Sequence, residues 1–113
     1  RPTHDHRDTL VLKLQKQIEE SFFEPLDLNL FAAKNALSEK QVVRRFKNAT
    51  GETPLSYLQK FRIEKVKVKL ESSSQSINNL IWEVGYEDVS SFRRLFKKTT
   101  GLTLQAYRSR FSV

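Results

Sequence analysis

Arg44-Arg45-Phe46-Lys47-Asn48-Ala49-Thr50-Gly51-Glu52-Thr53 returns fifty residues later as Arg94-Leu95-Phe96-Lys97-Lys98-Thr99-Thr100-Gly101-Leu102-Thr103. Tyr57 and Tyr107 extend the match at the same offset. In each copy a basic, amphipathic segment of helical period runs to a glycine, and a threonine then stands where the next helix needs a cap. The unit is repeated together with its charge, so one structural device is used twice. A cationic helix used twice predicts a polyanion contacted twice.

Working outward, the residues before each copy carry the rest of the unit. Ser38-Glu39-Lys40-Gln41 is a capping box that opens the first basic helix, with Val42 and Phe46 on its apolar side. Asp27 caps a short helix with Leu28, Phe31 and Ala32, and the chain turns through Asn35-Ala36-Leu37. In the second copy Ser76 caps a helix with Ile77, Leu80, Ile81 and Val84 that stops at Gly85, and Asp88 caps the basic helix with Phe92, Leu95 and Phe96. Each copy therefore reads as short helix, tight turn and capped basic helix, which is a helix-turn-helix. Packing of Leu37, Val42 and Phe46 on Phe31 and Ala32 leaves Lys40, Val43, Arg44 and Lys47 outward. Packing of Phe92, Leu95 and Phe96 on Ile81 and Val84 leaves Val89, Ser90, Arg93, Arg94 and Lys97 outward.

Three further helices frame these units. One starts at Asp8 with Leu10, Val11, Leu14 and Ile18, takes in Phe22, and closes before Pro25. Thr53-Pro54 opens a long helix to about Glu71 through Tyr57, Leu58, Phe61, Val66 and Leu70, because Pro at the first helical position lacks only an N–H that would be unpaired anyway. The last is capped by Thr103 and holds Tyr107 and Phe111. Few segments alternate with period two, so essentially no strand is expected and the expected class is all-α with about seven helices. The expected organisation is a tail or linker from a missing N-terminal domain at 1–7, a first helix-turn-helix subdomain at 8–52, a linker helix at 53–71 and a second subdomain at 72–113.

Composition limits the function classes. Twenty Lys and Arg against thirteen Asp and Glu give a net charge of +7, which draws nucleic acid or an anionic surface. The 113 residues include no cysteine, so disulfides and thiolate metal sites are excluded, and no apolar run is long enough for a membrane span or a signal peptide. A cytoplasmic protein is expected. The chain begins at Arg1 and has no methionine, which reads as a piece of something longer. His4-x-His6 lacks further ligands and reads as part of a solvated tail; no metal and no cofactor are expected. Glu19-Glu20 and Glu87-Asp88 are adjacent carboxylates rather than an opposed pair, no nucleophile stands beside a base, and no catalytic residue is assigned. Trp82 reads as packing. Lys60, Arg62, Lys65, Lys67 and Lys69 either touch phosphates or keep the linker helix soluble.

The second unit, Ile77-(x2)-Leu80-Ile81-(x2)-Val84-Gly85-Tyr86-Glu87-Asp88-(x3)-Phe92-Arg93-Arg94-Leu95-Phe96-Lys97-(x3)-Gly101-(x5)-Tyr107-Arg108, closely resembles the signature of AraC/XylS-type bacterial transcription regulators. The resemblance extends from Asp8 to Phe111. It implies a homeodomain-like DNA-binding domain of two helix-turn-helix subdomains joined by a long linker helix, with double-stranded DNA as partner. RNA polymerase and an N-terminal effector or dimerisation domain are the further implied partners, and no membrane. It implies base reading by Lys40, Val43 and Arg44 in the first unit and by Val89, Ser90, Arg93 and Arg94 in the second. Lys47 and Lys97, at the far ends, suit phosphates. The two recognition helices would enter successive major grooves, about 34 Å apart. The stretch from Thr3 to Gln17 resembles the entry to this domain in members with an amidotransferase-like (PfpI-like) N-terminal domain. Asn35 and Ala36 depart from the usual Ala and Gly of the turn, Leu104 from a frequent Pro, and Val66 and Lys69 from a usual Ala and Leu. The rival class is a basic helical interaction module that docks an acidic protein or an anionic membrane without sequence preference.

Overall fold

The computed structural model describes residues 6–112. The expected tail at 1–7, the His4-x-His6 pair and the stretch from Thr3 fall partly outside them. Within them lie seven helices and no strand: α1 (Thr9–Glu20), α2 (Leu28–Lys34), α3 (Glu39–Thr50), α4 (Pro54–Ser72), α5 (Ile77–Glu83), α6 (Val89–Thr100) and α7 (Leu104–Phe111). The described residues form two compact units that divide between Phe61 and Arg62, inside α4. The first half of α4 closes the first unit and the second half opens the second.

Each unit is built by the same local chemistry. Asp27 and Ser76 cap the short helices α2 and α5, Ser38 and Asp88 cap the basic helices α3 and α6, and the Ser38–Gln41 capping box is made in both directions. Gly51 and Gly101 end α3 and α6 in the left-handed conformation, at φ 86° and 81°. The Thr50 hydroxyl donates to the Phe46 carbonyl and accepts the Glu52 N–H; Thr100 does the same with Phe96 and Leu102. Phe46 then meets Tyr57 edge-on at 5.5 Å, as Phe96 meets Tyr107 at 5.7 Å. Tyr57 donates to Glu19 of α1, and Tyr107 donates to Glu71 of α4 at 2.6 Å. Burial and these carboxylates push both phenols up, that of Tyr107 to about 12.

In the first unit Val11, Leu14, Ile18, Phe31, Ala32, Val42, Phe46, Tyr57 and Leu58 form one core. The second buries Ile63, Val66, Leu70, Leu80, Ile81, Val84, Phe92, Phe96 and Leu104. Phe46, Phe92 and Phe96 are fully buried, and each contributes about 1.5–3 kcal/mol by leaving water. The basic helices are thus fixed by their apolar sides.

Several expectations need correction. α1 closes before Pro25 but already at Glu20, short of Phe22; Ser21 is its C-cap, its N–H and its hydroxyl both donating to the Gln17 carbonyl. Phe22 lies past that end and packs at 5.5 Å from Phe61. Leu95 is only half-buried and Phe111 is exposed, whereas Leu104 and Ile63 are core residues. Trp82 is not a core residue: it is 53 % exposed, about 100° round α5 from buried Ile81. His6 is not simply solvated. It is half-buried, its Nδ1 accepts the Asp8 N–H, and its Nε2–H donates to Gln15 Oε1 at 2.8 Å.

The two turns differ in one residue of consequence. After α5, Gly85 takes φ 98°, its N–H donating to Trp82 and that of Tyr86 to Ile81. After α2 the same pair of bonds runs from Ala36 to Ala33 and from Leu37 to Ala32, but the left-handed residue is Ala36, at φ 56°. An L-residue there costs about 1–2 kcal/mol, part of which glycine's larger unfolded-state entropy offsets. Ala36→Gly should therefore stabilise the chain by about 0.5–1 kcal/mol, and Gly85→Ala should destabilise it by a similar amount. Denaturant midpoints that move the same way in both variants would contradict this account.

Candidate nucleic-acid interface

On α3, Lys40, Val43, Arg44 and Lys47 are spaced i, i+3, i+4 and i+7 and share one side, opposite Val42 and Phe46. Lys40, Arg44 and Lys47 are exposed and Val43 is half-buried. On α6, Ser90, Arg93, Arg94 and Lys97 repeat that spacing opposite Phe92 and Phe96, with Val89 beside them in the first turn. Ser90, Arg94 and Lys97 are exposed; Val89 and Arg93 are half-buried. Arg93, Arg94 and Lys97 converge on a cleft of about 260 Å³ whose other wall is Thr103, Leu104 and Gln105, at the start of α7. This gathers three cations and the first turn of a helix on one surface of the second unit.

Neighbouring cations are used differently. Arg45, one position from Arg44, points about 100° away and grips Asp8, Nη2 donating at 2.8 Å and Nε at 3.2 Å. Asp8 is also the N-cap of α1, accepting from the Leu10 and Val11 amides. Burial pushes its carboxyl up, but Arg45 and those amides together outweigh burial and hold it below its ordinary value of 3.8. The cap and ion pair are complete above that value and are lost as the pH falls through the lower folded one.

Of the linker cations, Arg62 belongs to the core rather than to a phosphate-facing or solvated side. It is 7 % exposed and its guanidinium lies 5.1 Å from the centre of the Tyr86 ring. Lys60 pairs with Glu52 at 3.3 Å and Lys67 with Glu64 at 2.9 Å. Two residues beside the surface carry no sequence signal strong enough to single them out. Asn78 of α5 accepts a hydrogen bond from Arg93, and Gln105 lines the cleft. No three His, Cys, Asp or Glu side chains converge among the described residues. No helix among them is long and apolar enough to cross a membrane.

Two helix-turn-helix units, each with a cationic side left outward by a buried aromatic side, define a DNA-binding module. Residues 31–110 match the helix-turn-helix domain family, and the chain belongs to it, as the DNA-binding domain of an AraC-type transcription regulator rather than an enzyme. It is 38 % identical over 97 residues to the MmsAB operon regulatory protein of Pseudomonas aeruginosa, covering 86 % of this chain and 32 % of that one. Its fold matches the C-terminal domain of AraT, a response regulator from Geobacillus stearothermophilus, with a TM-score of 0.87 and 26 % identity over 94 % of this chain and 88 % of that one. The DNA-binding domain of AdpA, solved in complex with a target DNA, gives a TM-score of 0.83 at 25 % identity over 92 % and 94 % of the two chains. The chain spans about a third of the length of the curated relatives it matches.

Proposed function

We propose that α3 and α6 enter successive major grooves of one duplex, so that a single chain reads a two-part site. Lys40, Val43 and Arg44 read bases in the first part, and Val89, Ser90, Arg93 and Arg94 in the second. Lys47 and Lys97 hold phosphates. The observation that carries this reading is the repeated i, i+3, i+4, i+7 outer side on two helices whose opposite sides are locked in cores. The partition that goes with it is a first subdomain at 8–52, a linker helix at 53–71 and a second subdomain at 72–113, with residues 1–7 leading from a further domain.

The parent regulator, on this reading, works in the cytoplasm and couples the module to an N-terminal effector or dimerisation domain and to RNA polymerase. The length of the relatives supports additional domains. The resemblance of residues 3–17 to the entry of amidotransferase-like members supports that kind of N-terminal domain.

Selection of bound duplexes from a random pool gives the preferred site. Against it, Arg93→Ala and Arg94→Ala should each lose about 1–3 kcal/mol while binding to a scrambled duplex changes little, because arginine donates bidentately to guanine edges. An equal loss on both duplexes would make these arginines phosphate contacts.

A further inference from the structure

We infer that Asn78 positions Arg93 for base reading, which makes the short helix α5 a determinant of specificity in the second unit. The inference rests on the proposal that Arg93 reads bases. Arg93 Nη2 donates to Asn78 Oδ1 at 3.1 Å, between helices fifteen residues apart in the chain. A free arginine side chain samples many rotamers and must surrender them when it meets a base edge. The bond to Asn78 fixes the guanidinium before DNA arrives.

The chemistry of the acceptor matters. An amide oxygen orients the guanidinium without neutralising it, whereas a carboxylate there would compete with guanine and with the phosphates for the same charge. One of the five guanidinium N–H groups is used, so a two-pronged donor edge remains for a base. The partner also sits on half-buried Arg93, not on exposed Arg94, and Arg93 is one of the cations that line the cleft.

The repeat supplies an internal comparison. Aligning the N-caps Asp27 and Ser76 places Asn29 of α2 at the position of Asn78, and aligning Ser38 with Asp88 places Val43 at the position of Arg93. Both units therefore have the asparagine, but only the second has an arginine for it to hold. The second unit reads with one pre-ordered arginine and Arg94, and the first with Arg44 alone among its assigned arginines.

The test is a double-mutant cycle on the full chain, with affinities for the selected duplex, for single-base variants of it and for a scrambled duplex, and with melting temperatures. Asn78→Ala should weaken binding to the selected duplex about three- to tenfold, with the loss confined to the base position that Arg93→Ala relaxes. The scrambled duplex and the melting temperature should be unaffected. The double variant should bind no worse than Arg93→Ala alone, and Asn29→Ala should keep full specificity. If Arg93→Ala leaves base preference intact, the base-reading proposal fails and takes this inference with it. If Arg93→Ala relaxes a position that Asn78→Ala leaves untouched, or if the two losses add, the inference alone is overturned. A fall in melting temperature with unchanged base preference in Asn78→Ala would make the bond a strut between helices and also overturn it.

Discussion

Phe96→Ala is expected to melt the second unit and leave the first folded. Phe96 is fully buried, lies 6.2 Å from Phe92 in a tilted pair and meets Tyr107 edge-on, so truncation opens a cavity among the buried side chains of that unit. A substitution of this kind costs about 3–5 kcal/mol. A chain of this length is stabilised by about 5–15 kcal/mol in total, and a unit of 52 residues holds only a share of that. The core of the first unit is drawn from Val11 to Leu58, all on the other side of the division at Phe61. Hydrogen exchange should therefore show protection lost in α5, α6 and α7 and retained in α1, α2 and α3. Phe46→Ala, the same position in the other unit, should give the converse pattern. Uniform loss of protection in both variants would mean that α4 couples the two cores into one cooperative block.

What the sequence disclosed was mostly local. Caps are legible because a Ser, Thr or Asp side chain satisfies amides two or three residues on, and Asp27, Ser38, Ser76, Asp88 and Thr103 all do so. Gly51 and Gly101 are legible for the same reason, since a left-handed helix end asks for glycine. Ala36 is not, because nothing in its identity announces a positive φ; the neighbouring bonds impose it. α4 misleads for a different cause. Its halves serve two cores, so its apolar residues follow no single stripe, and Arg62 reads as one more surface cation although Tyr86 covers it. At the candidate site, periodicity separates Arg44 from buried Phe46, but it cannot reveal that Asp8, 37 residues away, holds Arg45. It is equally silent on Asn78, whose partner Arg93 lies fifteen residues on.

The largest effect on binding should come from salt. Simultaneous docking of α3 and α6 neutralises about six to eight phosphates, and the slope of log K against log salt should then lie near −5 to −7. Between 50 and 200 mM salt this is a loss of roughly 10³- to 10⁴-fold in affinity. The charge for it comes from the two basic helices and from the flanking linker cations other than Arg62, which is buried. Lys47→Ala and Lys97→Ala should each flatten the slope by about one without changing the order of preferred sequences. The Phe96→Ala variant supplies the control: with α6 melted, the slope should fall to about half, because only α3 remains to displace counterions. A parent slope already near −3 would mean that one unit engages DNA at a time. Unchanged slopes in the lysine variants would remove Lys47 and Lys97 from the phosphate set.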